Sequence, residues 1–352
     1  MKHFLMAICA IGCLNGSAAF AQDPGADGFV CAKVPEPVIS LNHGSRYSAG
    51  DSSRSDFDQT SNDDVNAQLK PVDDFISDLA NAANRALSTP TDQQVASACV
   101  LSGLVVWAKA DGLSKLETMN AQLSAPSRLA GFAFAYAQVK PFLHEADDQA
   151  QVERWLSDRA EATITYFDSD APKNASKNNL RAWAALAVGR VGITLERTDM
   201  MAWAESSVRL VICQAAPDGS LPLEMARNDL ALHYQLHAVA PVVVTAALLQ
   251  GQGYDLFVAC DRAIHRAVEF VLAAFENPAM VEQKTGYAQS YFDGSENLRG
   301  FELAWAEAYL NAFNSPAVAD FVAEYRPLGN SKLGGRQSLV WSPSGHQIRK
   351  SP

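Results

Sequence analysis

Residues 218–238 read "DGSLPLEMARNDLALHYQLHA", the densest run of chemically capable side chains in this 352-residue sequence. Arg227 and Tyr234 are seven positions apart, almost two helical turns, so on a continuous helix they share one face. His237, three past Tyr234, lies close to that face, and His233 points roughly 100° away from it. Glu224 precedes Arg227 by three and could hold it in place. A guanidinium binds a carboxylate in bidentate fashion. Its charge also favours a neighbouring phenolate, which makes a tyrosine usable as a base. The same spacing fits a solvated arginine beside a half-buried tyrosine.

Two further stretches carry polar groups of similar potential. "SRYSAGDSSRS", residues 45–55, sets Arg46 and Tyr47 in a Ser/Gly-rich loop ahead of Asp51 and Arg54. Such a loop is either a mobile lid or a flexible arm. "KNNLRAWAAL", residues 177–186, presents Asn178 and Asn179 before an apolar run, followed by Arg181. Asparagine amides can donate to a carboxylate, and asparagine is equally a good helix cap. The paired carboxylates Glu302/Glu307 and Asp293/Glu296 are not placed across a cleft by anything in the sequence. "NAS" at 174–176 matches a glycosylation sequon. No Walker A, GxSxG, HExxH or GxGxxG motif stands out, and the cysteine spacing does not suggest a metal site.

The elements that must position these residues read as helices. Ala, Leu and Val dominate from about residue 63 with few strand-like alternations. The pattern predicts helices near 65–87, 93–111, 128–144, 149–167, 180–195, 198–214, 224–250, 255–275, 299–313 and 316–324, separated by breakers such as "STPTD" and "APDGSLP". "WAALAVGRVGITL" and "AVAPVVVTAALL" are apolar nearly all round, as helices buried on every side are, whereas "QVERWLSDRAEATITYF" is amphipathic. Alternating inner and outer helices with short links predict an all-α toroid of antiparallel hairpins. Pro241 falls inside a helix and is expected to kink it.

Composition bounds the rest. The chain is 48% hydrophobic and 19% charged, enough for a large core. "MKHFLMAICAIGCLNGSAAFAQD" reads as a secretory signal cleaved after Ala21, with an apolar run too short to span a membrane. The organisation read from the sequence is a signal at 1–21, an irregular arm with the candidate lid at 22–62, a helical domain at 63–345 and a tail at 346–352. Lys+Arg 28 against Asp+Glu 39 give a net charge of −11, and loss of Lys2 with the signal makes it one unit more negative. That argues against nucleic-acid binding. It leaves room for a polyanionic ligand if basic groups cluster in one cleft. Cys31, Cys99, Cys213 and Cys260 remain after the signal. An exported chain can oxidise them, with three full pairings possible and free buried thiols as the alternative.

Taken in order, "CAKVPEP", "SRYSAGDSSR", "CVLSGLVVWAKADGL", "KNNLRAWAAL", "DGSLPLEMARNDLALHY", "QKTG", "LAWAEAY" and "KLGG" resemble the periplasmic, mannuronate-specific alginate lyases. The resemblance runs from about Val30 to Trp341. It implies an incomplete (α/α) barrel with a deep cleft, β-elimination at a uronic acid, no metal and no cofactor. Its partner would be an anionic polysaccharide, and the protein a periplasmic or secreted monomer with no membrane span. By the same resemblance Tyr234 is base and acid, Arg227 and Asn179 neutralise the carboxylate, and Arg46 and Tyr47 belong to the lid. From residue type and position rather than from the resemblance, Asn178, Arg181 and His237 are added as candidate substrate-binding residues.

One position departs from the family pattern, which at "NNL" is Asn-Asn-His: the third residue here is Leu180. Loss of one charge-stabilising donor typically costs about 10²–10³ in rate. Either Arg181 or His237 has taken over the role, or the substrate differs, or the chain binds polyuronate without cutting it. A glycoside hydrolase on the same architecture is a further reading, and it requires two opposed carboxylates in the cleft.

Overall fold

The computed structural model describes residues 29–292 and 297–341. The expected signal at 1–21, the tail at 346–352, Asp293 and Glu296 lie outside the described residues. Helices dominate: α1 (Gln59–Ser88), α2 (Gln93–Lys109), α3 (Met119–Val139), α4 (Ala146–Ser169), α5 (Asn179–Thr194), α6 (Thr198–Ile212), α7 (Pro222–Met225), α8 (Ala231–Gln250), α9 (Ala259–Glu276), α10 (Ala279–Thr285), α11 (Trp305–Ala312), α12 (Pro316–Phe321) and α13 (Gln337–Val340). Strand pairing among the described residues consists of two short ladders and an isolated antiparallel bridge between Tyr47 and Phe57. Ser40–Leu41 runs parallel to Lys115–Leu116, and Gly329–Asn330 runs antiparallel to Gly335–Arg336.

The helices sort by sequence pattern into layers. In α1 the buried positions Val65, Leu69, Val72, Ile76, Leu79, Ala83 and Ala86 recur every three or four residues, and the remaining face is solvated. In α5, Ala182 through Gly192 are all buried. Such a helix has no polar face to turn outward, so it is enclosed, with α3, α6 and α8 packed around it. α3 and α8 are likewise buried over most of their lengths. The result is an inner set, α3, α5 and α8, lined on the outside by the more amphipathic α4, α6 and α9. This is the helical toroid expected from the sequence. The segment Asn228–Gln250 is long and apolar enough to pass a membrane-span test by composition, yet 83% of its window is buried inside the fold.

Several boundaries differ from the sequence reading; α3, predicted over 128–144, runs Met119–Val139. α1 begins at Gln59, inside the stretch read as an arm, because Asp58 caps it by accepting from the Ser61 backbone N–H at 2.7 Å. The helix predicted over 299–313 forms only from Trp305. The predicted 224–250 helix is broken, with consequences for the site described below. The cysteines pair as Cys31–Cys99 and Cys213–Cys260. The first bridge ties the N-terminal arm to α2, and the second joins the end of α6 to the start of α9.

Candidate active site

The break in the predicted 224–250 helix shapes the site. α7 stops at Met225, Asn228 takes a left-handed φ of 50°, and α8 starts only at Ala231. Arg227 and Tyr234 are therefore not two turns apart on one helix, as the spacing suggested. Their meeting is tertiary. Gln235 of α8 fixes the preceding turn by accepting from Leu221 N–H at 2.8 Å and donating to the Gly219 carbonyl at 3.1 Å. Gly219, at φ 89°, has no room for a Cβ, which would sit 2.0 Å from the Arg266 carbonyl oxygen of α9. This anchored turn brings Arg227 back over Tyr234, with its guanidinium carbon 3.4 Å from the ring centroid.

The loop of residues 44–57 closes over this pair. Asp51 gathers the loop, accepting from the Ser53, Ser55 and Asp56 backbone N–H groups at 2.7–2.9 Å. Those bonds and the one from the Ser53 hydroxyl hold its carboxyl well below the usual range. Tyr47 stacks on Phe57 at 4.9 Å. Its hydroxyl accepts from Arg227 at 3.1 Å and hydrogen-bonds directly to the Tyr234 hydroxyl. Arg227 also donates to the Arg54 carbonyl, and Asn228 reaches Ser53 and Ser55 at 3.1 Å. Arg46 is tethered to α1 through Asn62 and Asn66, each at 2.6 Å.

The Glu224 side chain does not hydrogen-bond Arg227; only the backbone joins them, the Arg227 N–H donating to the Glu224 carbonyl at 3.1 Å. Its carboxylate, 1% exposed, accepts from the Asn179 backbone N–H at 2.8 Å and from the Asn179 side-chain amide at 3.0 Å. Burial pushes the Glu224 carboxyl up to about 7, opposed by the two bonds from Asn179 and by the charge of Arg227. Asn178 is the N-cap of α5 and accepts from Leu180 N–H at 3.0 Å. The asparagine pair thus divides its labour: the first starts the helix, and the second is clamped against a buried carboxylate.

Arg181 is a correction. It follows Leu180 by one residue, roughly 100° around α5, and points out of the cleft. It is buried against α4 and α6, bonded to Asp168 at 2.9 Å, Ser207 at 2.8 Å and the Phe167 carbonyl at 3.0 Å, with Trp203 4.3 Å away. His237 faces inward. Its ring lies 5.3 Å from Trp183 of α5 and 6.1 Å from Tyr234. Burial pushes it down to about 3, helped by the charges of His233, Lys332 and Arg227, so it is neutral. His233 contacts the Tyr291 hydroxyl at 2.9 Å, and that hydroxyl donates to Glu302 at 2.7 Å.

These groups line a cleft of two lobes. One, of about 560 Å³, contains Tyr47, Asn178, Asn179, Leu180, Arg227 and Tyr234. The other, of about 840 Å³, contains His233, Glu302, Arg299 and Arg336. Trp183, His237 and Lys332 border both. Arg46, Arg54, Arg128, Arg227 and Lys332 all line the smaller lobe, and none of its described lining residues is an Asp or Glu. A net-acidic chain has concentrated positive charge in one cavity. Among the described residues no group of three or more His, Cys, Asp or Glu side chains could hold a metal ion.

Comparison with known proteins follows the same lines. A family model for alginate lyase matches residues 134–281. A polysaccharide lyase of Stenotrophomonas maltophilia (strain K279a) is 30% identical over 299 residues, covering 84% of each chain. The chain belongs to the alginate lyase family. This lyase is also 26% identical to an alginate lyase of Pseudomonas syringae pv. syringae (strain B728a) over 328 residues, 91% of this chain and 85% of the relative. Its fold matches alginate lyase A1-III of Sphingomonas species A1 with a TM-score of 0.72 at 21% identity, over 91% of this chain and 86% of that one. It also matches a histidine-to-alanine variant of A1-III complexed with a tetrasaccharide, with a TM-score of 0.74.

Sequence reasoning missed several groups of this lyase's cleft. Arg128 of α3 pairs with Asp73 of α1 at 2.7 Å. Lys332, 3.4 Å from the same Asp73, is pushed down to about 8 by burial. His43 bonds Ser124 at 3.0 Å within the smaller lobe. Only Lys332 carried a signal, as the first residue of "KLGG".

Proposed function

We propose that this polysaccharide lyase cleaves a uronate polymer, alginate or a related polyuronate, by β-elimination in the smaller lobe. The observation that carries the reading is the carboxylate-free, cationic lobe in which Arg227 lies against the Tyr234 ring. A uronate carboxylate is neutralised there by Arg227, aided by Asn179, which acidifies the adjacent C5–H. Tyr234, acting as the phenolate that the Arg227 charge favours, takes the C5 proton; the C–H electron pair becomes the C4=C5 double bond, and the C4–O4 bond breaks with its pair left on O4. The proton then passes from Tyr234 to O4, so the enzyme ends the cycle as it began. Arg46, Tyr47 and Asn178 hold the chain of sugars against this centre. Hydrolysis by opposed carboxylates finds no support in the lobe that holds Tyr234.

The two disulfides fit an oxidising compartment. Together with the leader-like first residues they support a periplasmic or secreted location. The test is a panel of polymannuronate, polyguluronate, polyglucuronate and mixed alginate, followed by the ultraviolet absorbance of the 4,5-unsaturated uronate. A rise on at least one polymer is expected, and none on any polymer would refute the reading.

A further inference from the structure

We infer that His237 is a substrate-facing donor of this lyase site and supplies from α8 the imidazole that position 180 on α5 lacks. The inference rests on the β-elimination reading and deepens it. Leu180 and Trp183 are one turn apart on the same side of α5, and both line the smaller lobe. The Trp183 ring lies 5.3 Å from the His237 ring, and the imidazole lines the same lobe as the leucine. His237 is three residues beyond Tyr234, and their rings lie 6.1 Å apart at an interplanar angle of 83°. Among the described residues no protein group hydrogen-bonds either of its nitrogens. This is unlike His43, whose two nitrogens contact Ser124 and Gly44, and unlike His233, which is bonded to Tyr291. His237 is thus a largely buried imidazole at the junction of the two lobes, held by ring contacts alone.

The groups around it fix its chemistry. His233 and Tyr234 face it from its own helix, Trp183 from α5, Lys332 from the 329–336 hairpin and Arg227 from the α7–α8 link. The cations and the burial keep the ring neutral, with one N–H to donate and one nitrogen to accept. As the C5 proton leaves for Tyr234, negative charge grows on the uronate carboxylate, and a neutral N–H aimed at it stabilises that charge without itself titrating. No proton is routed through His237.

The test compares His237→Phe, which keeps a ring against Trp183 without a donor, with His237→Gln, which restores an N–H. Added imidazole is tried in a His237→Ala background. His237→Phe is expected to lower kcat by about 10²–10³ with KM little changed. Glutamine should return part of the rate, and free imidazole part of it in the alanine variant. Leu180→His introduced beside His237→Phe should recover at least about tenfold by returning the donor to α5. Folding is followed by near-ultraviolet circular dichroism. Unchanged kcat in the phenylalanine and alanine variants overturns the inference. So does a loss that glutamine, imidazole and Leu180→His all fail to relieve, since it marks a packing role. If Tyr234→Phe abolishes the reaction while His237→Phe does not, this inference alone falls. If Tyr234→Phe is silent too, the elimination reading falls with it.

Discussion

Glu224 and Asn179 are 45 residues apart in sequence and joined by two hydrogen bonds, at 2.8 Å and 3.0 Å, in a buried corner of the cleft. The carboxylate satisfies a first-turn N–H of α5, which has no intrahelical partner. In the same contact it fixes the Asn179 carboxamide. Helix start and candidate substrate donor therefore depend on one acidic side chain.

Glu224 makes stability pH-dependent with a definite sign. Its native value, about 7, lies above its ordinary 4.5, so the native state holds more protons than the unfolded state between those limits. The contribution is fully present below about 4.5 and is lost as pH rises through about 7, by roughly 3 kcal/mol in all. Denaturant melts across this window should show the fall, and Glu224→Gln should flatten it. The same substitution should lower kcat by at least about tenfold, because Asn179 loses one of its two acceptors.

Arg181→Ala should damage the fold and leave the chemistry intact. The guanidinium makes three bonds between α4 and α6, and its removal leaves buried acceptors unpaired. A loss of about 3 kcal/mol is expected, with kcat and KM of the folded protein unchanged. A selective rise in KM would return Arg181 to the substrate-binding set.

The disulfides close long loops, with sequence separations of 68 and 47. On the chain-entropy model each stabilises by about 4 kcal/mol. Cys31→Ser with Cys99→Ser should lower the thermal midpoint, read by calorimetry under non-reducing conditions. Cys213→Ser with Cys260→Ser should do the same by a similar amount.

Much of this was legible in the sequence, and the misses have local causes. α5 was plain because an all-apolar helix has no alternative but enclosure, and the Arg227/Tyr234 pairing was correctly suspected. Its geometry was misread: nothing in "ARNDLA" announces that Asn228 adopts a left-handed φ, and an unbroken helical pattern was the natural assumption. Glu224 was assigned to Arg227 because spacing reveals only neighbours on one element, whereas its partner lies on α5. Arg128, His43 and Lys332 reach the cleft from three separate elements, so their convergence is a property of the fold. Arg181 was misplaced for a simpler reason. One residue along a helix turns a side chain out of the wall its neighbour lines.

The central claim is that Tyr234, beneath Arg227, carries the proton of a β-elimination. The most direct measurement compares the wild-type protein with Tyr234→Phe on the polyuronate panel, following formation of the unsaturated uronate. A rise in absorbance with the wild type and none with the phenylalanine variant is predicted. Equal rates in the two proteins would contradict the account.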